Sequence, residues 1–148
     1  MTLRERLQED MKSAMRAREA ERLVTIRMLL AAIKQREIDE RRELDDTEAL
    51  SIVDKLIKQR KDSASQFIAG NRPDLAQKEE SEIVFLAVYL PEALSSAGID
   101  VLIAETITAV AASGPRDMGK VLTALRPQMQ GRADMAVVAE KVKARLSI

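Results

Sequence analysis

The chain has 148 residues, 24 basic and 24 acidic, with no net charge, no cysteine and no histidine. Without cysteine there is no disulfide, thiol nucleophile or zinc-thiolate site. Without histidine the commonest general base and metal ligand are also missing. Hydrophobic residues make up 46% of the chain but aromatics only 2%, so a core must be built from Leu, Ile, Val, Ala and Met. Good helix formers dominate, and no segment alternates with period two long enough to be a strand. The fold class expected is all-α.

Thr2 followed by Glu5 forms a capping box that opens a first helix, with Leu3, Leu7, Met11 and Met15 on one stripe. A second helix carries Leu23, Ile26, Leu30 and Ile33 and runs to about Arg41. Glu43–Asp46 reads as a turn, and Asp45 with Glu48 as another capping box. The third helix shows Leu50, Val53, Ile57, Ala64 and Phe67, and Gly70 is the natural left-handed residue beyond its end. Pro73 suits the first turn of a fourth helix with Leu75, Ile83, Leu86 and Leu90 inward, stopped by Pro91. PEALSSAG (91–98) is the expected joint, giving a long-helix N-terminal domain, 1–92, and a small three-helix domain, 93–148. In the second, Ile99, Leu102, Ile103, Ile107 and Val110 form one helix ended by Gly114-Pro115, and Asp117 and Asp134 are N-cap candidates for the other two.

The five glycines are scattered at 70, 98, 114, 119 and 131, so no phosphate-cradling loop is visible, and neither a cofactor nor a metal is expected. No apolar run approaches the ~18 residues that span a bilayer. The charged start MTLRERLQEDMK has no apolar signal-peptide core, and the simplest expectation is a cytoplasmic protein with no membrane partner.

Basic residues are the remaining signal. Arg22, Arg27, Lys34 and Arg36 follow one another with no acid between, and KQRKDS (58–63) adds Arg60 and Lys61. Arg27 and Lys34, seven apart, share a helix face. Long basic side chains on helices usually pair with neighbouring acids or cover apolar surface, and the alternative is that Arg27, Lys34, Arg60 and Lys61 form a secondary basic face. In the C-terminal part stand Lys120, Arg126, Arg132, Lys141, Lys143 and Arg145. Lys120 falls in the first turn of a helix, where the N-terminus already favours anions. Gly119 beside it costs about 1 kcal/mol of helix propensity relative to Ala, which close packing or close approach of a partner would offset. Gly131 reads as a C-cap or turn residue.

DMGKV (117–121), GRAD (131–134), TIRMLLAAIKQREID (25–39), KQRKDS with Phe67, RPDLA (72–76) with Glu79, and YLP (89–91) occur in an order that resembles the GatB/YqeY family over essentially the whole chain. The sequence looks like a stand-alone YqeY-like protein. It departs at Leu122, Thr123 and Met135, where the family often has Met, Gly and Gly. The resemblance implies an all-helical fold whose C-terminal domain is similar to the tail of GatB, the component of the aspartyl/glutamyl-tRNA amidotransferase whose tail contacts tRNA.

That resemblance implies a non-catalytic tRNA-binding or tRNA-enzyme accessory protein, with Lys120, Arg126 and Arg132 contacting phosphates and Lys141, Lys143 and Arg145 in support. An alternative is a helical adaptor that docks on an aminoacyl-tRNA synthetase or amidotransferase, using Met129 or Met135 as an adaptable contact. A carbon–nitrogen ligase with glutamine as amide donor ranks last, because a glutamine-hydrolysing site needs an activated nucleophile and neither Cys nor His is present. The oligomeric state is not legible from the sequence.

Overall fold

A computed structural model describes residues 1–147. Within them lie seven α-helices and one 3-10 turn, with no strand. The chain forms two compact units, Met1–Leu90 and Pro91–Ile148, so the boundary falls two residues before the expected one.

The first unit holds α1 (Leu3–Ala17), α2 (Ala20–Glu40), α3 (Asp46–Ala69) and α4 (Pro73–Ala87). Both capping boxes form: Thr2 and Asp45 each accept the N–H of the third residue on, and Glu5 and Glu48 reach back. The core is aliphatic, built on Leu7, Ile26, Leu29, Val53 and Leu86. Several polar clamps tie the helices together. The Leu3 N–H donates to Asp46 Oδ1 at 3.1 Å, joining the starts of α1 and α3. Glu37, buried near the end of α2, accepts from Arg4 of α1 and from the Leu44 N–H at 2.9 Å. The Leu44 amide, and after it Arg4, hold the Glu37 carboxyl below its ordinary range. Tyr89 closes the unit: its hydroxyl donates to Asp10 at 2.6 Å, and the Arg6 guanidinium lies 4.9 Å over its ring. Burial, then the Asp10 hydrogen bond, push the Tyr89 hydroxyl above its ordinary range.

The second unit holds α5 (Ser96–Ala109), a 3-10 turn (Pro115–Asp117), α6 (Met118–Met129) and α7 (Met135–Leu146) around Ile103, Val121, Leu125, Val138 and Val142. Met129 is fully buried in this core and Met135 packs half-buried against it, so neither is the exposed contact that the adaptor reading needed.

Two helix ends differ from expectation. Gly70 has φ −85°, and Asn71 takes the left-handed conformation instead. Asparagine tolerates that region. The helix α5 stops at Ala109, with Ala111 left-handed, well before Gly114. The Ala111 and Ala112 N–H groups bond Thr108 and Ile107 carbonyls, which satisfies the orphaned acceptors and offsets the conformational cost.

Candidate nucleic-acid interface

The six cations of the second unit do not form one set. Lys141 is committed: its ammonium donates to Ser96 Oγ at 2.8 Å and Asp100 Oδ1 at 2.9 Å, clamping α7 to α5. Arg132 is committed as well. Its Nε donates to the Glu92 carbonyl at 3.0 Å and its own carbonyl accepts the Leu94 N–H at 2.8 Å, so it fastens the segment leading into α5 onto the α6–α7 turn. Gly131 makes that turn possible with φ 78°, the left-handed region that favours glycine.

Lys120, Arg126, Lys143 and Arg145 are exposed and have no hydrogen bond or ion pair among the described residues. Lys143 and Arg145, two apart on α7, point to different sides and sit in its last turn, where cations suit the helix dipole. Lys120 and Arg126 differ. At about 100° per residue they lie about 120° apart around α6, and the exposed Gly119, Thr123 and Pro127 fill the arc between them. Two cations thus rim a strip of low side chains. The Thr123 hydroxyl donates to the Gly119 carbonyl at 2.7 Å, which keeps the strip flat. Arg116, exposed in the preceding 3-10 turn and also unpartnered, is a further cation here that sequence reasoning passed over. Its only signal was its place one residue before the N-cap candidate.

Gly119 is not a packing residue. A Cβ built there meets nothing within 4 Å, so close packing does not require the glycine. Nor is Lys120 at an open helix N-terminus. The Asp117 carboxylate turns back to the Ser113 N–H at 2.8 Å, and the Asp117 and Met118 N–H groups bond the Gly114 and Pro115 carbonyls. The 3-10 turn thus takes up two of the backbone donors at the start of α6.

The secondary basic face divides too. Arg60 is buried: its Nε donates to Glu82 at 2.9 Å, Nη1 to the Leu56 carbonyl at 3.2 Å, and Nη2 lies 3.0 Å from Met28 Sδ. It joins α3 to α4 and α2 and is not a surface cation. Arg27, Lys34 and Lys61 remain exposed.

No catalytic arrangement emerges from the geometry. A groove of about 440 Å³ between α2 and α3 contains Arg36, Asp39, Ser51 and Lys55. The Ser51 hydroxyl donates to the Glu48 carbonyl at 2.6 Å and accepts from Arg36, so no base is in place to activate it. Among the described residues no three metal-ligating side chains cluster, and no helix is long and apolar enough to cross a membrane.

Comparison with known proteins assigns the family. The model of the YqeY family, described as Yqey-like protein, matches residues 4–146. The chain belongs to the YqeY family. Curated relatives include the altered inheritance of mitochondria protein 41, mitochondrial, of Lachancea thermotolerans, 41% identical over 74% of this chain and 60% of the relative. The protein of the same name from Vanderwaltozyma polyspora is 44% identical over 57% of this chain and 46% of the relative. That of Kluyveromyces lactis is 35% identical over 93% and 72%. The chain thus spans about half to three-fifths of the first two relatives. These names overturn the cytoplasmic expectation, since the relatives are mitochondrial proteins by name. That expectation rested on the lack of an apolar signal core, which bears on secretion and not on mitochondrial location.

Proposed function

We propose that this YqeY-family protein is a non-catalytic accessory factor that binds tRNA through the exposed strip of α6, with Lys120 and Arg126 on phosphates, Arg116 in support and Gly119 permitting close backbone approach. The observation that carries the reading is the pairing of uncommitted cations with an unpacked glycine on one exposed arc. Sequence-independent RNA binding is dominated by phosphate neutralisation, and phosphate contacts position without reading bases. A core with only three aromatics, none in the second unit, offers no platform for base stacking, so recognition is by backbone and shape. Lys141 and Arg132 act indirectly by holding the unit together. Lys143 and Arg145 lie outside the strip. The compartment in which to seek the RNA is the mitochondrial one in the relatives' names.

The test is binding of bulk tRNA to the full chain at several salt concentrations. About three phosphate contacts give a log–log salt slope on the order of −2 to −3. Lys120→Glu with Arg126→Glu should abolish binding while the helical spectrum is unchanged. Unaltered tRNA binding in that variant sinks the reading.

A further inference from the structure

The outer face of α2 lies apart from the core. Val24, Ala31 and Ile38 stand seven residues apart and are all exposed, Val24 and Ile38 each to 59%. Arg27 and Lys34 form a second row three residues on, about 60° around the helix, and Arg41, the left-handed cap residue, follows at the same spacing. No carboxylate lies within that row. Arg27 and Arg41 have no partner among the described residues; the nearby Glu37 is held by the Leu44 amide and Arg4, with a weaker charge attraction from Lys34. The opposite edge of the apolar row is different: Glu21, Gln35 and Asp39, with Gln35 donating to Asp39 at 2.9 Å. The face therefore carries an apolar seam of heptad spacing, basic on one side and acidic or neutral on the other.

We infer that this face docks an amphipathic helix of a partner protein, acidic along the edge that meets Arg27, Lys34 and Arg41. Three features select that occupant. Val24, Ala31 and Ile38 repeat every seven residues with Arg27, Lys34 and Arg41 three residues after each, so a facing helix in heptad register meets one apolar row and one basic row. Ala31 between Val24 and Ile38 makes a notch that accepts a side chain from a facing helix, whereas a bilayer surface is better held by bulky Trp, Phe or Leu, which the seam lacks. RNA would satisfy the cations but leave the apolar seam in water. The seam runs fourteen residues, about 21 Å, so two heptads of partner helix cover it.

The probe is a labelled 21-residue peptide helix with Leu at the a and d heptad positions and Glu along one flank, titrated with the full chain by fluorescence anisotropy. Arg27→Glu with Lys34→Glu should weaken it about tenfold, and a Lys-flanked version of the peptide should regain affinity for that variant. Ile38→Ser should weaken both peptides. All three side chains are solvent-exposed, and circular dichroism checks that the fold is kept. Equal binding to wild type and charge variant overturns the inference. So does the finding that phosphatidylserine vesicles or bulk tRNA bind the wild type but lose the Arg27→Glu, Lys34→Glu variant. A dimer of the full chain that this variant dissolves also overturns it. Since Lys120→Glu, Arg126→Glu leaves α2 intact, it should bind the peptide normally, which separates this inference from the proposed tRNA interface.

Discussion

The two units differ in how far their charges are committed to the fold. In the first, many carboxylates and cations pair, Arg4 with Glu37, Arg22 with Glu19 and Asp10, Arg36 and Arg42 with Glu40 and Glu48, Arg60 with Glu82, while the outer face of α2 keeps Arg27 and Arg41 free among the described residues. In the second, Lys141 pairs with Asp100, and Arg116, Lys120, Arg126, Lys143 and Arg145 stand uncommitted among the described residues. Part of the first unit's pairing is local, as in Arg22 with Glu19 and Arg36 with Glu40, and part joins helices, as in Arg4 with Glu37 and Arg60 with Glu82. Charges that hold a fold together are poor candidates for binding, so the comparison sorts basic residues that look alike in sequence.

The sharpest way to break that comparison is Arg60→Ala. It leaves Glu82 half-sheltered without its cation and empties space beside Met28. The expected loss is on the order of 3 kcal/mol, read from urea unfolding followed by circular dichroism. Arg60→Met, which fills the space, should lose less. If Arg60→Ala is silent, Arg60 belongs with the surface cations and the division of the units fails.

Acid should act next, and on the first unit. Arg42 holds the Glu48 carboxyl down to about 2, and Glu37 and Glu40 are lowered in the same direction by the Leu44 amide with Arg4 and by Arg36 with Arg42. Carboxyls whose folded pKa is depressed contribute stability that is present above their unfolded value of about 4.5. That contribution is lost as pH falls from there toward 2. Amide protection factors around residues 41–46, corrected for the intrinsic rate at each pH, should therefore fall between pH 4.5 and 3 before those in α6 do. An equal fall in both would deny the ion-pair network its role.

What the sequence revealed follows the range of the interaction. Capping boxes at Thr2 and Asp45, Pro73 in a first turn, and most of the aliphatic stripes are local, and the structure has them where periodicity and capping chemistry put them, except that the stripe of α1 closes on buried Ala14 while Met15, expected on it, is exposed to 50%. The roles of Arg60, Arg132 and Lys141 depend on residues 22, 40 and 41 positions away, and nothing in KQRKDS or GRAD distinguishes them from free cations. Asp117 shows the intermediate case: its position marks a helix start, but its carboxylate satisfies the Ser113 amide behind it.

Gly119→Ala separates stability from function on a smaller scale. The site is helical, has no positive φ, and offers open space for a methyl group. Alanine should stabilise the second unit by about 0.5–1 kcal/mol. If Gly119 serves close approach, the same change should weaken tRNA binding while raising the unfolding midpoint. A gain in stability with unchanged tRNA affinity would leave the glycine without a role in binding.

The smallest expected effect on stability carries the most about function. Lys120→Gln and Arg126→Gln remove exposed, unpartnered charges, and substitutions of that kind shift stability within about 0.5 kcal/mol. Lys141→Gln also removes one positive charge, but it breaks the tie from α7 to Ser96 and Asp100, so it should lower the midpoint. Net charge is matched across the three variants. If tRNA affinity followed net charge alone, all three would weaken it equally. If the strip on α6 binds, Lys120→Gln and Arg126→Gln should each weaken tRNA several-fold at unchanged stability, and Lys141→Gln should destabilise the unit while the folded protein still binds. Titrations of the three variants at one salt concentration, beside their unfolding curves, distinguish the two cases because charge is held constant and only its commitment within the fold differs.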